Sequence, residues 1–361
     1  MSILSKIESI SKSPEFSIII PIYGVEEYLY ECINSALSQT FSDFEILLVD
    51  DGSPDHSSSI CDEYLCTDSR IKVIHKANGG LSDSRNIGLA YATGKFIYFL
   101  DGDDWMNKEL LEKTVIYIRQ DYDMVAFNTS FSYDDKIIES TIHDTGIFEI
   151  CDAFSQMKFF LKTLLLSKIG WSVSDRVFKK SVIDENNLKF ADNKKIFTED
   201  LFFSCCYCAH IRKILSIEDK LFYYRQREGS IMHTDGTGLN FNRFNEFGKE
   251  LEKYYREKRI DPLIEVFPQI YYSIFRNNIW KVQKQNNIDI FQIRVLIYDD
   301  IKDISYFRSQ MSSMKNQRNT LVKIFSEREF REMLSVAKFF LSGNALAFRI
   351  RNKLISIFYK K

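Results

Sequence analysis

The segment FIYFLDGDDW places three carboxylates, Asp101, Asp103 and Asp104, directly after an apolar run. Acids this close repel one another, and a divalent cation with hard oxygen ligands is a natural compensation; the alternative is a solvated turn capping the next helix. A second acidic tip, Asp50-Asp51-Gly52-Ser53, ends the run FEILLVDD. It is either a plain turn with aspartate as local acceptor, or a carboxylate placed to accept from a ribose hydroxyl or a base N–H. Tyr23, in PIYG at the end of the first apolar run, offers a ring that could stack on a base. A third acidic pair, Glu199-Asp200, follows Thr198. Read alone it is an acidic helix start with Thr198 as N-cap, and the helix dipole there favours an ionised Asp200 ready to accept a proton near neutral pH.

The elements that must carry these tips are legible. From Phe16 to Phe127, short runs rich in Ile, Val and Phe alternate with amphipathic stretches: FSIIIPIY, EEYLYECINSALSQT, FEILLVDD, CDEYL, RIKVIH, SDSRNIGLAYAT, KFIYFLD, KELLEKTVIYIRQ, DMVAF. That alternation predicts a mainly parallel α/β sheet whose ligand crevice lies at the carboxyl ends of the strands. Those ends bear the acidic tips and the 76–80 turn KANGG that leads to Arg85. Further on, FSYDDKIIES reads as a hairpin, 153–168 as an apolar helix, and RVFKKSVIDENNLKF as a strand or turn returning to the core. After Thr237 the pattern is helical to the end, with Pro262 and Pro268 as punctuation.

Composition sets the class. The 361 residues carry 48 Lys+Arg against 50 Asp+Glu, a net charge of −2, which excludes a surface built wholly to bind a polyanion, and no nucleic-acid partner is expected. An aromatic content of 14% is too high for a disordered chain. Seven cysteines in no secreted-scaffold spacing predict reduced thiols and a cytoplasmic location. Cys205-Cys206-x-Cys208 lacks a second Cys/His pair apart from His210, so it reads as helix core rather than a metal site. The N-terminus has no signal-peptide core, and no run reaches the roughly 18 apolar residues of a spanning helix. Neither a G-x-G-x-x-G nor a Walker motif follows the first strand, which argues against a dehydrogenase or a P-loop ATPase.

Taken in order, SIIIPIYGVEEYLYECINSALSQTFSDFEILLVDDGSPD, KANGGLSDSRNIGLAYATGKFIYFLDGDDW, FTEDLFF and YYRQREGSIMH resemble the family-2 glycosyltransferases of GT-A fold. The likeness covers residues 16–235. It implies a Rossmann-like sheet flanked by helices, with a helical C-terminal extension, and an inverting enzyme that uses a nucleotide-sugar, commonly a UDP-sugar, with Mn²⁺ or Mg²⁺. The implied division is a leader at 1–15, a nucleotide-sugar half at 16–128, an acceptor and catalytic-base half at 129–237, and a helical region at 238–361.

Carried onto this chain, the resemblance puts Tyr23 and Asp51 at the nucleobase, Arg85 facing the nucleotide, Asp101 near the ribose and Asp103 on the metal. The role of Asp104 stays open. Asp200 is implied as the catalytic base and Glu199 is placed on the acceptor side. Arg225, Arg227, Ser230 and His233 fall in a segment like the family's late loop, which closes over the diphosphate. Trp171 lies where relatives place acceptor-site residues; its ring would stack on a sugar or pack in the core. Displacement at an anomeric carbon needs a base for the acceptor hydroxyl and an electrophile for the departing diphosphate, which this set supplies.

Two other classes compete: a nucleotide-sugar-binding module without catalysis, which would lack the Glu199-Asp200 pair, and a nucleotidyltransferase, which would want a basic Gly-rich loop where this chain has GVEEYLYE. The Q-x-x-R-W signature of processive synthases is absent, so one transfer per encounter is expected. The resemblance makes the acceptor a lipid-linked or surface glycan. His75 and His210 read as structural. Residues 333–361 carry six basic and no acidic residues, with Leu346, Ile350, Leu354 and Ile357 at helical spacing. That is the pattern of a helix lying on anionic lipid at the inner face of the membrane, or of one packing on the core with a basic edge.

Overall fold

A computed structural model describes residues 13–133, 135–140, 144–165, 168–196, 198–227, 241–286 and 304–341. The chain forms two compact units. The first comprises the described residues of Met1–Ile150, Ser167–Lys194 and Thr198–Ser230, and the second those of Cys151–Leu166, Lys195–Phe197 and Ile231–Lys361.

The first unit is a ten-stranded sheet. Strand β1 (Phe16–Ile22) leads through helix α1 (Glu26–Leu37) to β2 (Phe44–Asp50), then through α2 (Ser57–Leu65) to β3 (Ile71–His75), and through α3 (Leu81–Tyr91) to β4 (Phe96–Phe99). Every residue of β1, β2 and β4 is buried, as strands covered by helices on both faces require. The first three strands pair in parallel, and β4 joins β1 in parallel on its other side. After the short β5 (Trp105–Met106) and α4 (Leu110–Ile118), the long β6 (Met124–Tyr133) turns into β7 (Lys136–Glu139), the hairpin expected at FSYDDKIIES.

A strand from later in the chain, β9 (Arg176–Lys179), lies antiparallel between β4 and β6. Two reversals restore the direction, so β6 and its parallel partner β10 (Lys213–Arg225) point the same way as β1 to β4. The carboxyl ends Ile22, Asp50, His75, Phe99 and Arg225 therefore share one edge of the sheet. The sheet also includes β8 (Gly146–Glu149), on β10; α6 (Lys180–Asn186) follows β9, and helix α7 (Glu199–Cys208) brings the 199–200 pair into this unit.

At the opposite edge Glu45 ties the strands together. Its buried carboxylate accepts from Ser17 Oγ at 2.6 Å, Lys72 Nζ at 2.6 Å, Thr93 N at 2.7 Å and Thr93 Oγ1 at 2.8 Å, and these bonds hold it below the usual glutamate range against the cost of burial. The turn from α3 into β4 passes so close to β1 that a Cβ on Gly94 would lie 2.5 Å from the backbone of Phe16 and Ser17. Gly94→Ala should therefore cost about 1–3 kcal/mol by overpacking, read as a lower urea midpoint at unchanged m-value.

The described elements of the second unit are helical, as the sequence pattern after Thr237 predicts for those among them that follow it. Helix α5 (Ala153–Phe159) starts on a capping box in which Asp152 accepts from Ser155 N at 2.7 Å and Ser155 Oγ accepts from Asp152 N at 2.9 Å. It joins α8 (Phe241–Glu257), α9 (Asp261–Glu265), α10 (Phe267–Asn286), α11 (Ser305–Ser313), α12 (Arg318–Ile324) and α13 (Glu327–Leu341). Rings fill the core: Phe244 and Tyr271 lie 4.7 Å apart, Phe275 and Phe307 5.0 Å, Phe275 and Phe340 4.9 Å. The start of the basic tail packs here through the buried Met333, Ala337 and Phe340; its remainder, 342–361, lies outside the described residues. Among the described residues no helix is long and apolar enough to cross a membrane.

Candidate active site

The turn after β4 bends back at once, with Asp104 N–H donating to Asp101 O at 3.0 Å. Gly102 sits against the end of β1, where a Cβ would lie 3.2 Å from Pro21 O, so a larger residue would push the acidic turn outward. The three carboxylates diverge into three surroundings.

Asp101 meets Arg85. The Arg85 guanidinium is buried, lies 5.2 Å above the Phe190 ring, and holds three acids at once. It donates from Nη2 to Asp101 Oδ1 at 2.8 Å, and from Nη1 to Asp200 Oδ1 at 2.6 Å and to Glu199 Oε1 at 3.2 Å. Its fork thus spans the protein's own carboxylates, Asp101 through one nitrogen and the 199–200 pair through the other.

Asp103 points elsewhere. Its Oδ2 accepts from Arg227 Nε at 2.9 Å and Nη2 at 2.8 Å, and its main-chain oxygen accepts from Arg225 Nε at 2.9 Å. Arg225 is held by Glu31 and lies over the rings of Tyr28, at 4.8 Å, and Trp105, at 4.6 Å. Trp105 in turn stacks on Tyr223 at 5.2 Å. Asp104 is buried, with Oδ1 accepting from Arg225 N at 2.8 Å and Oδ2 making no hydrogen bond. Burial, reinforced by Asp103 and Asp101, holds its carboxyl well above the usual range. The acid whose role was open therefore pins the end of β10 to the turn. No spacing in the sequence signals Tyr28, Trp105 or Phe190 in these positions, because each acts through a ring face brought in from a distant element.

Burial also governs Asp200, whose carboxyl is pushed up to about 7 from its ordinary 3.8. Glu199 and Asp101 add to the rise by repulsion, while Arg85 and a hydrogen bond from the Val173 backbone oppose it. Loss of water at this position thus opposes the ionisation that the helix dipole favours. Thr198 differs too: it adopts φ 54° with no side-chain capping bond, a left-handed conformation unfavourable for a β-branched residue.

On the nucleotide side, Asp51 is buried and accepts from Gly79 N and Gly80 N, both at 2.8 Å, and from Lys76 Nζ. Its carboxylate orders the 76–80 loop. Tyr23 is 52% exposed, so its ring remains accessible at the edge of the sheet. Trp171 is half-buried, with its carbonyl accepting from Ser204 Oγ at 2.8 Å. His75 pairs with Asp50 at 2.9 Å and Asp62 at 3.1 Å, in keeping with a structural role. The buried thiols of α7 join no metal group: among the described residues no three His, Cys, Asp or Glu converge to hold an ion. Ser230 and His233 lie outside the described residues.

Residues 17–215 match the family model described as Glycosyl transferase family 2. The chain belongs to this family. Among its relatives, this family-2 glycosyltransferase is 32% identical to the uncharacterized glycosyltransferase EpsJ of Bacillus subtilis over 60% of its own length and 63% of that protein. It is 30% identical to the glycosyltransferase GlyG of Streptococcus pneumoniae over 61% of its own length and 73% of that protein. In structure it is similar to Staphylococcus aureus TarS in complex with UDP-GlcNAc, with a TM-score of 0.62 at 20% identity, covering 90% of this chain and 91% of that one. That likeness establishes the fold, which is GT-A, as the sequence motifs implied.

Proposed function

We propose that this transferase moves one sugar from a UDP-sugar to a hydroxyl of a glycan acceptor in surface-polymer synthesis, with inversion. The observation that carries the reading is the convergence of Asp101, Glu199 and Asp200 on one buried arginine, with Asp103 on the same turn as Asp101. Similarity to TarS of Staphylococcus aureus, a poly(ribitol-phosphate) beta-N-acetylglucosaminyltransferase, supports the polymer and donor class.

Asp200 takes the proton from the acceptor hydroxyl as that oxygen forms its bond to the anomeric carbon and the bond from that carbon to the diphosphate breaks, releasing UDP. A base that titrates near the working pH suits this task. Glu199, beside it, receives the acceptor sugar, and Trp171 offers a ring to the same sugar. Asp51 orders the 76–80 loop under the base, Tyr23 stacks on the base, and Asp101 stands at the ribose. Arg225 and Arg227 offer guanidinium groups to the diphosphate, as paired arginines do for phosphate.

The site's oxygen chemistry fits Mg²⁺ or Mn²⁺. A hard cation that keeps several waters and takes phosphate oxygens needs one or two carboxylates rather than a protein cage, and Asp103 is the residue that would hold it. When bound, it would neutralise the charge that develops on the leaving diphosphate.

The test is thermal shift and calorimetry with UDP, GDP, TDP and CMP and their sugars, with and without Mn²⁺. Stabilisation by the UDP series, strengthened by Mn²⁺, is expected. A shift from another nucleotide series would overturn the UDP assignment, and no shift in a folded sample would overturn the donor site itself.

A further inference from the structure

Arg85 is one cation shared by three anions that come from separate parts of the chain. Asp101 lies 16 residues away, Glu199 114 and Asp200 115. Its Nη1 serves both helix-start acids and its Nη2 the acid beyond β4, while its buried Nε makes no hydrogen bond and the guanidinium rests above Phe190. We propose that Arg85 is the positioning residue for Asp200: a shared counter-ion that orients this carboxylate and joins it to the turn bearing Asp101 and Asp103. The proposal rests on the reading of Asp200 as the base and adds what governs it.

The sharing has a direct consequence. The charged groups facing Asp200 are Arg85 from α3, Asp101 beyond β4 and Glu199 from its own helix, with the Val173 backbone N–H as a further hydrogen-bond donor. One positive charge against three negative leaves each acid only partly compensated. A full-time partner would make Asp200 a weaker base, and no partner would leave it protonated through the neutral range. The fork geometry matters as well, because guanidinium reaches three acceptors from fixed directions whereas a lysine ammonium is a point charge that cannot span them.

The experiment uses stability as its readout and needs no substrate. Thermal midpoints are measured from pH 5 to pH 9 for the wild type and Asp200→Asn, and their difference follows the ionisation of Asp200. The same pair is measured in an Arg85→Lys background and in a Glu199→Gln background. The wild-type difference curve should bend near pH 7. Arg85→Lys should move the bend up by about one unit, since it weakens the shared cation, and Glu199→Gln should move it down by about one, since it removes a repelling neighbour.

A purely structural arginine would lower the midpoint in Arg85→Lys without moving the bend in that background, and an unmoved bend in folded Arg85→Lys would overturn the proposal; the Glu199→Gln bend moves down through lost repulsion in any case and shows that the difference curve reports Asp200. If Arg85→Lys does not fold, Arg85→Gln, which removes the charge but keeps a hydrogen-bonding amide, is measured in the same way, and an unmoved bend there overturns the proposal. UDP release from UDP-GlcNAc, measured in parallel on Asp200→Asn, separates the two readings. Shifted bends with undiminished release would refute Asp200 as base while leaving the arginine's hold on it established.

Discussion

Asp200→Asn should lower turnover by about 10²- to 10⁴-fold, the usual contribution of a positioned general base, while leaving the affinity for UDP unchanged. The amide has nearly the same shape and still accepts from Arg85, but it cannot take a proton. Turnover of the wild type should rise with pH through about 7 and then level, because only the ionised acid can act as base. Stability should move the other way. The folded carboxyl sits near 7 against an ordinary 3.8, so the native state binds this proton more tightly than the unfolded chain. Its stabilising contribution is complete below about pH 4 and is lost as pH rises through 7. The Asn variant lacks that loss and should melt higher than the wild type at pH 8 although it is nearly inactive. A variant with wild-type turnover, or one that loses UDP binding, would refute the assignment.

Asp103→Ala should remove the effect of Mn²⁺ on UDP binding and lower turnover by about 10²- to 10³-fold, the scale set by removing one electrostatic contact to a leaving group. The geometry adds a discriminating detail. Asp103 engages Arg227 through two nitrogens, at 2.9 and 2.8 Å, so its removal frees a guanidinium beside the site for phosphate. UDP binding without metal should therefore persist or tighten in Asp103→Ala, while the tightening by Mn²⁺ disappears. Calorimetric titration of UDP into both proteins, each with and without Mn²⁺, checks this. Equal Mn²⁺ enhancement in the two would show that the cation is held by other groups.

Much of this was legible in one dimension. FSIIIPI, FEILLVD and FIYF are dominated by apolar residues, and such runs between amphipathic helices read as interior parallel strands. Their polar carboxyl ends then have to share an edge, so the acidic tips at 50–51 and 101–104 are candidate site residues on the sequence alone. The Glu199-Asp200 pair was readable as a helix start because α7 is apolar from Leu201 to Cys208. The helical character of the second unit followed equally from pattern. The insertion of β9 between β4 and β6 did not, since a four-residue strand carries no mark of its neighbours.

Periodicity and local charge are properties of adjacent residues, and the sequence by itself determined the strands, the helices and the set of acids at the strand ends. Which acid meets which cation was decided only in three dimensions. Arg85 meets Asp101, Glu199 and Asp200 because burial forbids an unpaired guanidinium, and those carboxylates are anions within its reach. Asp51 turned to the 76–80 loop because two backbone N–H groups and Lys76 needed an acceptor there. The proton affinity of Asp200 was likewise set by lost water and by neighbours up to 115 residues distant. Desolvation and long-range pairing depend on where the folded chain excludes solvent, and no local pattern encodes that.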